Sequence, residues 1–354
     1  MKTAILMDMA GCPNRCKHCW LGHEPNGHVS IDDYAWVVQQ FRDYQQNGIH
    51  YFDDYQCYSW YREPDYAENY KALWTMDKQL STTTPIRWEL ASIWRLTRDS
   101  TYAPWLASLG VNAVQVTLFG GEANTDYFTG RKGAFHDTVK ALDIMIAHGI
   151  RPMIQIFLYQ RNVADLNSII PLLTRLESRL EHLHMPLVVY IRTADPMGAG
   201  YDLEGMRITQ NDLRKVPQYF IEKTITHEND PGFFDKWTTE KELLPMLCKD
   251  ERPPGDTPNV LALMVSSTFN VYPNSGEIAD YANLGNLRTD GIDFVMDRLI
   301  RKKTLSLHLN HETPVSYLAQ KYGNPASEVL IDRYELCKKW LRMESENAPH
   351  QWSK

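Results

Sequence analysis

Three cysteines lie close together near the start of the chain, in the segment GCPNRCKHCW. Cys12, Cys16 and Cys19 form a CxxxCxxC motif and make up half of the six cysteines in the sequence. Thiolates are soft ligands that hold iron–sulfur clusters or zinc. This spacing lets three sulfurs converge on three corners of one 4Fe–4S cubane, which leaves the fourth iron without a protein ligand. An open iron can coordinate a second molecule.

Two other metal sites are compatible with the same motif. A structural zinc site needs a fourth ligand, which His18 or His23 could supply, although zinc motifs usually come as paired CxxC-type knuckles. An ordinary electron-transfer cluster needs a fourth cysteine, and Cys57 is the nearest one. Cysteines concentrated in one loop favour a metal site over a disulfide framework.

The elements that must position this loop repeat in one order: an apolar run, a loop, then an amphipathic stretch. Such alternation is typical of parallel βα units. It predicts an α/β fold, a partial (β/α)6 TIM-like barrel with a smaller C-terminal α+β extension. The cysteine loop follows the first strand, at the barrel end where catalytic sites lie. The predicted strands are 5–9, 48–52, 86–93, 114–119, 152–158 and 187–191, and the predicted helices are 31–46, 66–77, 102–109, 133–148 and 164–182.

The pattern changes after the sixth predicted strand. The polar segment 249–259, rich in Pro and Gly, predicts a loop or boundary, and 260–265 with 269–272 predicts a pair of strands. We therefore predict two domains, residues 1–234 and residues 235–354. Further helices are predicted at 210–224, 294–302 and 326–343.

Composition narrows the choice of partners and compartment. The net charge of −7 does not favour sequence-independent binding to nucleic-acid phosphates. No apolar run is long enough to span a membrane, and the first residues are too short and too lightly charged for a secretion signal. We expect a cytoplasmic protein with no nucleic-acid or membrane partner.

The cysteine triplet resembles the cluster-binding motif of the radical S-adenosylmethionine (SAM) superfamily, including a ring-bearing residue, His18, before the third cysteine. The resemblance implies that Cys12, Cys16 and Cys19 bind a 4Fe–4S cluster whose open iron is chelated by SAM. In that family the reduced cluster passes one electron to the sulfonium, and the resulting 5′-deoxyadenosyl radical abstracts hydrogen from the substrate. His18 would then face the adenine side of SAM.

A second segment resembles the family's Gly-Gly-Glu-Pro turn, which meets the amino group of SAM. Glu63 and Pro64 match the end of that turn, whereas Tyr61 and Arg62 replace its two glycines. The resemblance assigns Glu63 to SAM binding. The alternative is a surface carboxylate that precedes a helix.

Segments after the later strands also resemble the family, in the same order along the chain. Thr117 keeps a hydroxyl near the end of the fourth strand, and Gly120 would let the backbone approach a ligand closely or simply form a turn. Gln155 and Asn162 resemble the fifth strand and its trailing asparagine. Arg192 ends the sixth strand, where it could clamp a carboxylate of SAM or substrate, or form a structural ion pair.

The C-terminal region resembles a SPASM or twitch extension at residues 269–274 and 284–287. In those families cysteines of this region bind auxiliary clusters, but Asn274 stands at a cysteine position here. Cys248 and Cys337 cannot supply a full ligand set by themselves. We therefore expect a SPASM-like region without an auxiliary cluster. Without that electron acceptor, a redox-neutral outcome such as epimerisation or rearrangement is favoured.

The resemblance implies a radical SAM enzyme served by an external flavodoxin- or ferredoxin-type electron donor. Cys248 and Cys57 are candidate hydrogen donors, and each could instead be a small buried residue. We expect a small-molecule substrate such as a sugar, an amino acid or a natural-product intermediate, because a motif beginning at residue 12 leaves no room for a preceding peptide-recognition domain. The alternatives are a maturase of a ribosomally made peptide and a non-catalytic iron–sulfur electron carrier. The choice among oxidoreductase, isomerase and lyase stays open.

Overall fold

The computed structural model describes residues 2–255, 260–273 and 278–347. Its longer strands are apolar on both faces, as expected for parallel strands that are covered on both sides. Within the described residues the strands are β1 (Lys2–Met7), β2 (Gln45–Gln46), β3 (Ile49–His50), β4 (Tyr55–Tyr58), β5 (Ala113–Leu118), β6 (Arg151–Phe157), β7 (Val188–Arg192), β8 (Val260–Val265), β9 (Asn270–Pro273) and β10 (Gly285–Asn286).

Several helices begin after a polar cap and carry an apolar stripe. The first helix begins after Ser30, whose hydroxyl accepts a hydrogen bond from the Asp33 amide at 3.0 Å, and it buries Tyr34, Val37 and Phe41. The described helices are α1 (Ile31–Asp43), α2 (Tyr70–Leu80), α3 (Ile93–Leu96), α4 (Tyr102–Ser108), α5 (Glu122–Thr129), α6 (Ala134–Ala147), α7 (Gln160–Val163), α8 (Ile170–Glu181), α9 (Gln210–Leu213), α10 (Gln218–Glu228), α11 (Glu240–Leu247), α12 (Gly291–Ile300), α13 (Leu305–Glu312), α14 (Val315–Tyr322) and α15 (Arg333–Asn347). No described helix has the length and apolar character needed to cross a bilayer.

Two groups of parallel strands form the centre of the molecule. Strands β8, β1 and β4 pair in parallel, and β9 and β10 extend that sheet in antiparallel fashion beyond β8. Strands β5, β6 and β7 form a second parallel sheet. The predicted α/β class is confirmed at this level, with parallel strands separated by helices.

Two of the predicted parallel strands are not formed at the predicted positions. The prediction at 48–52 falls on a short exposed hairpin, because Asn47 and Gly48 take positive φ angles of 55° and 78° and form a tight turn. The parallel strand is β4, a few residues later. The prediction at 86–93 falls on a connection without strand pairing. Within it the Glu89 carbonyl accepts the Gln115 amide at 2.7 Å, while Arg87 is committed to a buried ion pair with Asp65.

Two hydrogen-bonded strands lie on opposite sides of the predicted domain boundary. The predicted strand pair at 260–265 and 269–272 is confirmed as β8 and β9. However, β8 pairs with β1 along its whole length, from Lys2 with Val260 to Met7 with Val265. The C-terminal region thus extends the first sheet directly, and the boundary at residue 235 stays a prediction. Asn274 and residues 256–259 lie outside the described residues.

Candidate active site

The cysteine loop is fixed to the chain that follows it. The Asn26 side chain accepts a hydrogen bond from the Cys12 amide at 3.1 Å and donates one to the Cys12 carbonyl at 3.0 Å. At the end of β1, the Asp8 carboxylate accepts the Gly11 amide at 3.0 Å. Because both backbone groups of the first cysteine are bonded to one side chain, its position depends on residue 26 as well as on β1.

Elements of the second sheet hold the other side of the loop. The amides of Arg15 and Lys17 donate to carbonyls at the end of α5, at 3.1 and 2.7 Å, and the Ala199 amide donates to the Cys19 carbonyl at 2.9 Å. Gly198, which follows β7, packs so closely that a Cβ atom there would lie 2.6 Å from the Cys19 carbonyl oxygen. The loop therefore bridges the two parallel sheets.

The three thiols lie close enough to influence one another. All three are free of disulfide bonds. Burial raises the pKa of Cys12 to about 12, with a contribution from Glu63, and burial followed by repulsion from the other two cysteines raises the pKa of Cys16. Burial also raises the pKa of Cys19. A bound metal centre would offset this cost by stabilising the thiolates.

The geometry bears on which metal centre the loop can accept. Within the described residues, no three His, Cys, Asp or Glu side chains converge as ligands of one ion must. In a 4Fe–4S cluster each cysteine binds its own iron, so the sulfurs need not meet at one point.

Glu63 is a buried carboxylate beside the cysteine loop. It accepts a hydrogen bond from the Ser92 hydroxyl at 2.6 Å, and its other oxygen lies 3.9 Å from the Cys12 sulfur. Burial raises the pKa of this carboxyl to about 7. The described residues give it no ion-pair partner within 4 Å, so a cationic group of a ligand would be favourable here.

A cavity of about 540 Å³ opens beside these groups, a size that suits a bound small molecule or side chain. The three cysteines, His18, Glu63 and Thr117 all border it. His18 packs between Phe119 and Phe157, with ring centroids 4.8 and 5.0 Å away. Its pKa is lowered to about 4 by burial, and its Nδ1 atom has no hydrogen-bond partner in the described structure. The neutral ring is available to a ligand in the cavity.

Four other predicted binding residues have structural contacts away from this cavity. Gly120 has a φ of 104° and approaches Asp165, where a Cβ atom would lie 2.6 Å from the carboxylate. Gln155 accepts a hydrogen bond from the Tyr190 hydroxyl at 3.4 Å. Asn162 bonds to the backbone of residues 157 and 159 and so begins α7, and Arg192 pairs with Glu228 at 2.6 Å. Their roles in SAM binding stay predictions.

The two candidate hydrogen donors do not border the cavity among the residues described. Cys57 is fully buried on the face of β4 that packs against Tyr34 and Leu73, whereas its neighbour Tyr58 points to the other face. Cys248 follows α11 and packs with the C-terminal helices. Direct donation from either thiol is not supported. Cys57 lies on the opposite face of β4 from Tyr58, and Cys248 packs among the C-terminal helices.

Sequence reasoning missed three residues of the site. Arg62 pairs with Asp8 and donates to the carbonyls of residues 24 and 25, and Asn26 clamps Cys12. Asp195 borders the cavity just beyond β7, and burial together with the nearby Asp332 raises its pKa. The Arg62 contact with Asp8 spans 54 positions of chain, so no local pattern could indicate it.

Comparison with known proteins rests on the fold. No family model and no curated protein matches the sequence. Hexahistidine-tagged anSMEcpe with bound AdoMet has a TM-score of 0.53 at 12% identity, over 100% of this chain and 97% of that one. Native anSMEcpe with bound AdoMet and Kp18Cys peptide has a TM-score of 0.52 at 13% identity, over 98% of each chain. Streptococcus suis SuiB bound to S-adenosylmethionine has a TM-score of 0.47 at 14% identity, over 95% of this chain and 77% of that one. The chain has the fold of AdoMet-bound anSMEcpe, which agrees with the predicted resemblance.

Proposed function

We propose that this protein is a radical SAM enzyme in which Cys12, Cys16 and Cys19 hold a 4Fe–4S cluster. The observation that carries the proposal is the cysteine loop on the wall of a cavity, beside the buried carboxylate of Glu63, which has no ion-pair partner among the described residues. Three thiols leave one iron open, and a SAM molecule has the chelating groups to bind that iron and a cationic ammonium group to meet the Glu63 carboxylate. The fold shared with AdoMet-bound anSMEcpe supports the same assignment.

Different residues of the cavity would contact different parts of the cofactor. Glu63 would accept the ammonium group of SAM, His18 would pack against the adenine, and the Thr117 hydroxyl would bond a polar group of the ligand. When bound, the reduced cluster supplies one electron for cleavage of SAM to a 5′-deoxyadenosyl radical. Buried apolar walls around the cavity would exclude water from that species. The electron would come from an external flavodoxin- or ferredoxin-type donor.

We propose a peptide as the substrate, in place of the small molecule that the sequence favoured. The support is that anSMEcpe, with the same fold over 98% of each chain, binds the Kp18Cys peptide together with AdoMet. A redox-neutral outcome stays part of the proposal, since Cys248 and Cys337 are too few for an auxiliary cluster. We further propose that the two parallel sheets are halves of one partial barrel.

The test of the enzyme class is SAM cleavage. The protein is purified without oxygen, reconstituted with iron and sulfide, reduced and incubated with SAM, and 5′-deoxyadenosine is quantified. We expect product from the wild type and from Cys337→Ala, a core cysteine, but not from Cys16→Ala. Absence of product from a protein with a full complement of iron would favour the non-catalytic electron carrier.

The test of the substrate class follows from the same assay. A library of short peptides is compared with free amino acids and sugars for stimulation of 5′-deoxyadenosine formation. We expect peptides to stimulate the reaction. Stimulation by an amino acid or a sugar, with none by peptides, would favour the earlier prediction of a small-molecule substrate.

A further inference from the structure

One wall of the cavity is built by three neighbouring parallel strands. Leu6 of β1 is in register with Met264 of β8 on one side and with Tyr58 of β4 on the other. Side chains in register on adjacent strands point to the same face. These three residues therefore form a continuous apolar row, and Leu6 and Met264 border the cavity directly. Ala262, two residues before Met264, extends the row.

Aromatic rings continue this wall beyond β4. Trp88 stacks on Tyr58, with ring centroids 4.5 Å apart and planes at 17°, and meets Trp60 edge to face at 5.5 Å. Trp60 and Trp88 border the cavity, and Leu90 completes the wall. Trp88 keeps 36% of its surface exposed, so part of its ring is free for a ligand.

Apart from Trp60, the wall comes from elements that carry none of the charged or imidazole lining residues described. Among the described lining residues, the acidic, basic and imidazole side chains belong to the cysteine loop, to the turn after β4 and to the segment after β7. None is on β1, β8 or the segment 88–91. A charged substrate group placed against this wall would lose its hydration without gaining an ion-pair partner. These side chains are Arg15, His18, His23, Arg62, Glu63 and Asp195.

We infer that this wall, formed by Leu6, Met264, Trp60, Trp88 and Leu90, binds an uncharged apolar or aromatic side chain of the peptide substrate. The inference deepens the proposed function and rests on it for the identity of the cavity as the catalytic site. It assigns substrate selection in part to β8, which lies in the C-terminal region of the chain. Selection follows from shape and dehydration, because apolar side chains gain by leaving water whereas charged ones do not.

The test uses single-residue probes on the reconstituted protein with SAM present and its cluster oxidised, so that no cleavage is needed. Saturation-transfer NMR measures binding of the N-acetylated amides of leucine, tryptophan, lysine and glutamate. We expect the leucine and tryptophan probes to bind, and Trp88→Ala to weaken that binding about tenfold. Trp94→Ala is the control, since Trp94 borders a separate groove beside Tyr66.

A second variant keeps the test independent of folding losses. Leu90→Asp places a carboxylate on the wall and is expected to admit the lysine probe, a gain that a misfolded protein would not show. Equal or tighter binding of the lysine or glutamate probe to the wild type would overturn the inference, as would unchanged binding in Trp88→Ala. Apolar preference in a preparation that forms no 5′-deoxyadenosine would support this wall while refuting the proposed function.

Discussion

Removing the guanidinium of Arg62 is expected to loosen the cysteine loop. Arg62 and Asp8 form an ion pair whose side chains are 4% and 2% exposed, and Arg62 also donates to the Glu24 carbonyl at 2.7 Å and the Pro25 carbonyl at 3.1 Å. The next residue, Asn26, holds both backbone groups of Cys12. A chain of contacts therefore leads from Arg62 to the first cysteine.

The size of the effect follows from burial. Removing one partner of a buried ion pair costs about 3–5 kcal/mol, because the other charge is left without compensation. That is a large part of the roughly 5–15 kcal/mol that stabilises an ordinary domain. The exposed pair Arg42–Asp43, with side chains 52% and 53% exposed, is the matched control. Loss of such a pair costs about 0–1 kcal/mol.

The assay compares urea unfolding and iron content after reconstitution for Arg62→Ala, Arg62→Lys and Arg42→Ala. We expect a strongly lowered midpoint and reduced iron uptake for Arg62→Ala. The lysine variant should be intermediate, because it keeps the charge but not the planar fork that reaches several acceptors. If Arg62→Ala unfolds at the same midpoint as Arg42→Ala and takes up as much iron as the wild type, the reasoning is wrong.

Three further predictions address other parts of the fold. Gly198 and Gly149 both have a positive φ, 53° and 71°, but only at Gly198 would a Cβ atom press against the cysteine loop. Gly198→Ala should therefore reduce iron uptake in a colorimetric iron assay, whereas Gly149→Ala should not. Equal losses of iron would count against the close packing. Burial raises the pKa of Asp77 to about 7, above the ordinary 3.8, so the folded chain holds a proton that the unfolded chain releases. The free energy of unfolding should therefore fall by at most about 4 kcal/mol as pH rises from about 4 to about 7. Urea titrations at pH 5 and pH 8 should show a smaller fall for Asp77→Asn than for the wild type. An equal fall in the two proteins would refute this assignment. Cys57→Ala should lower stability by about 1 kcal/mol, measured by urea unfolding, and leave conversion of a substrate intact. Loss of the substrate-derived product while 5′-deoxyadenosine still forms would restore Cys57 as a candidate donor.

Local patterns were enough to find the centre of the site. Cys12, Cys16 and Cys19 lie within eight residues, and Glu63 lies in a short motif, so their proximity needs little knowledge of the fold. The order of strands and helices also follows from apolar periodicity. These features are the ones that a single sequence can predict.

Contacts between distant segments account for what was missed. The predicted strand at 48–52 ended before Cys57, whereas Cys57 lies within β4 and faces away from Tyr58. In a strand, a shift of one residue exchanges the two faces, so small errors in position reverse such assignments. Arg87 lies in a predicted strand because its apolar neighbours suit one, but its pairing with Asp65 is set by the tertiary fold.

The most direct test of the central claim is electron paramagnetic resonance of the reduced protein with and without SAM. The account predicts about four iron atoms per chain, a 4Fe–4S signal that changes when SAM is added, and a weakened response to SAM in Glu63→Gln. A protein that takes up zinc and no iron would contradict the account. A cluster whose spectrum is the same with and without SAM would contradict it as well.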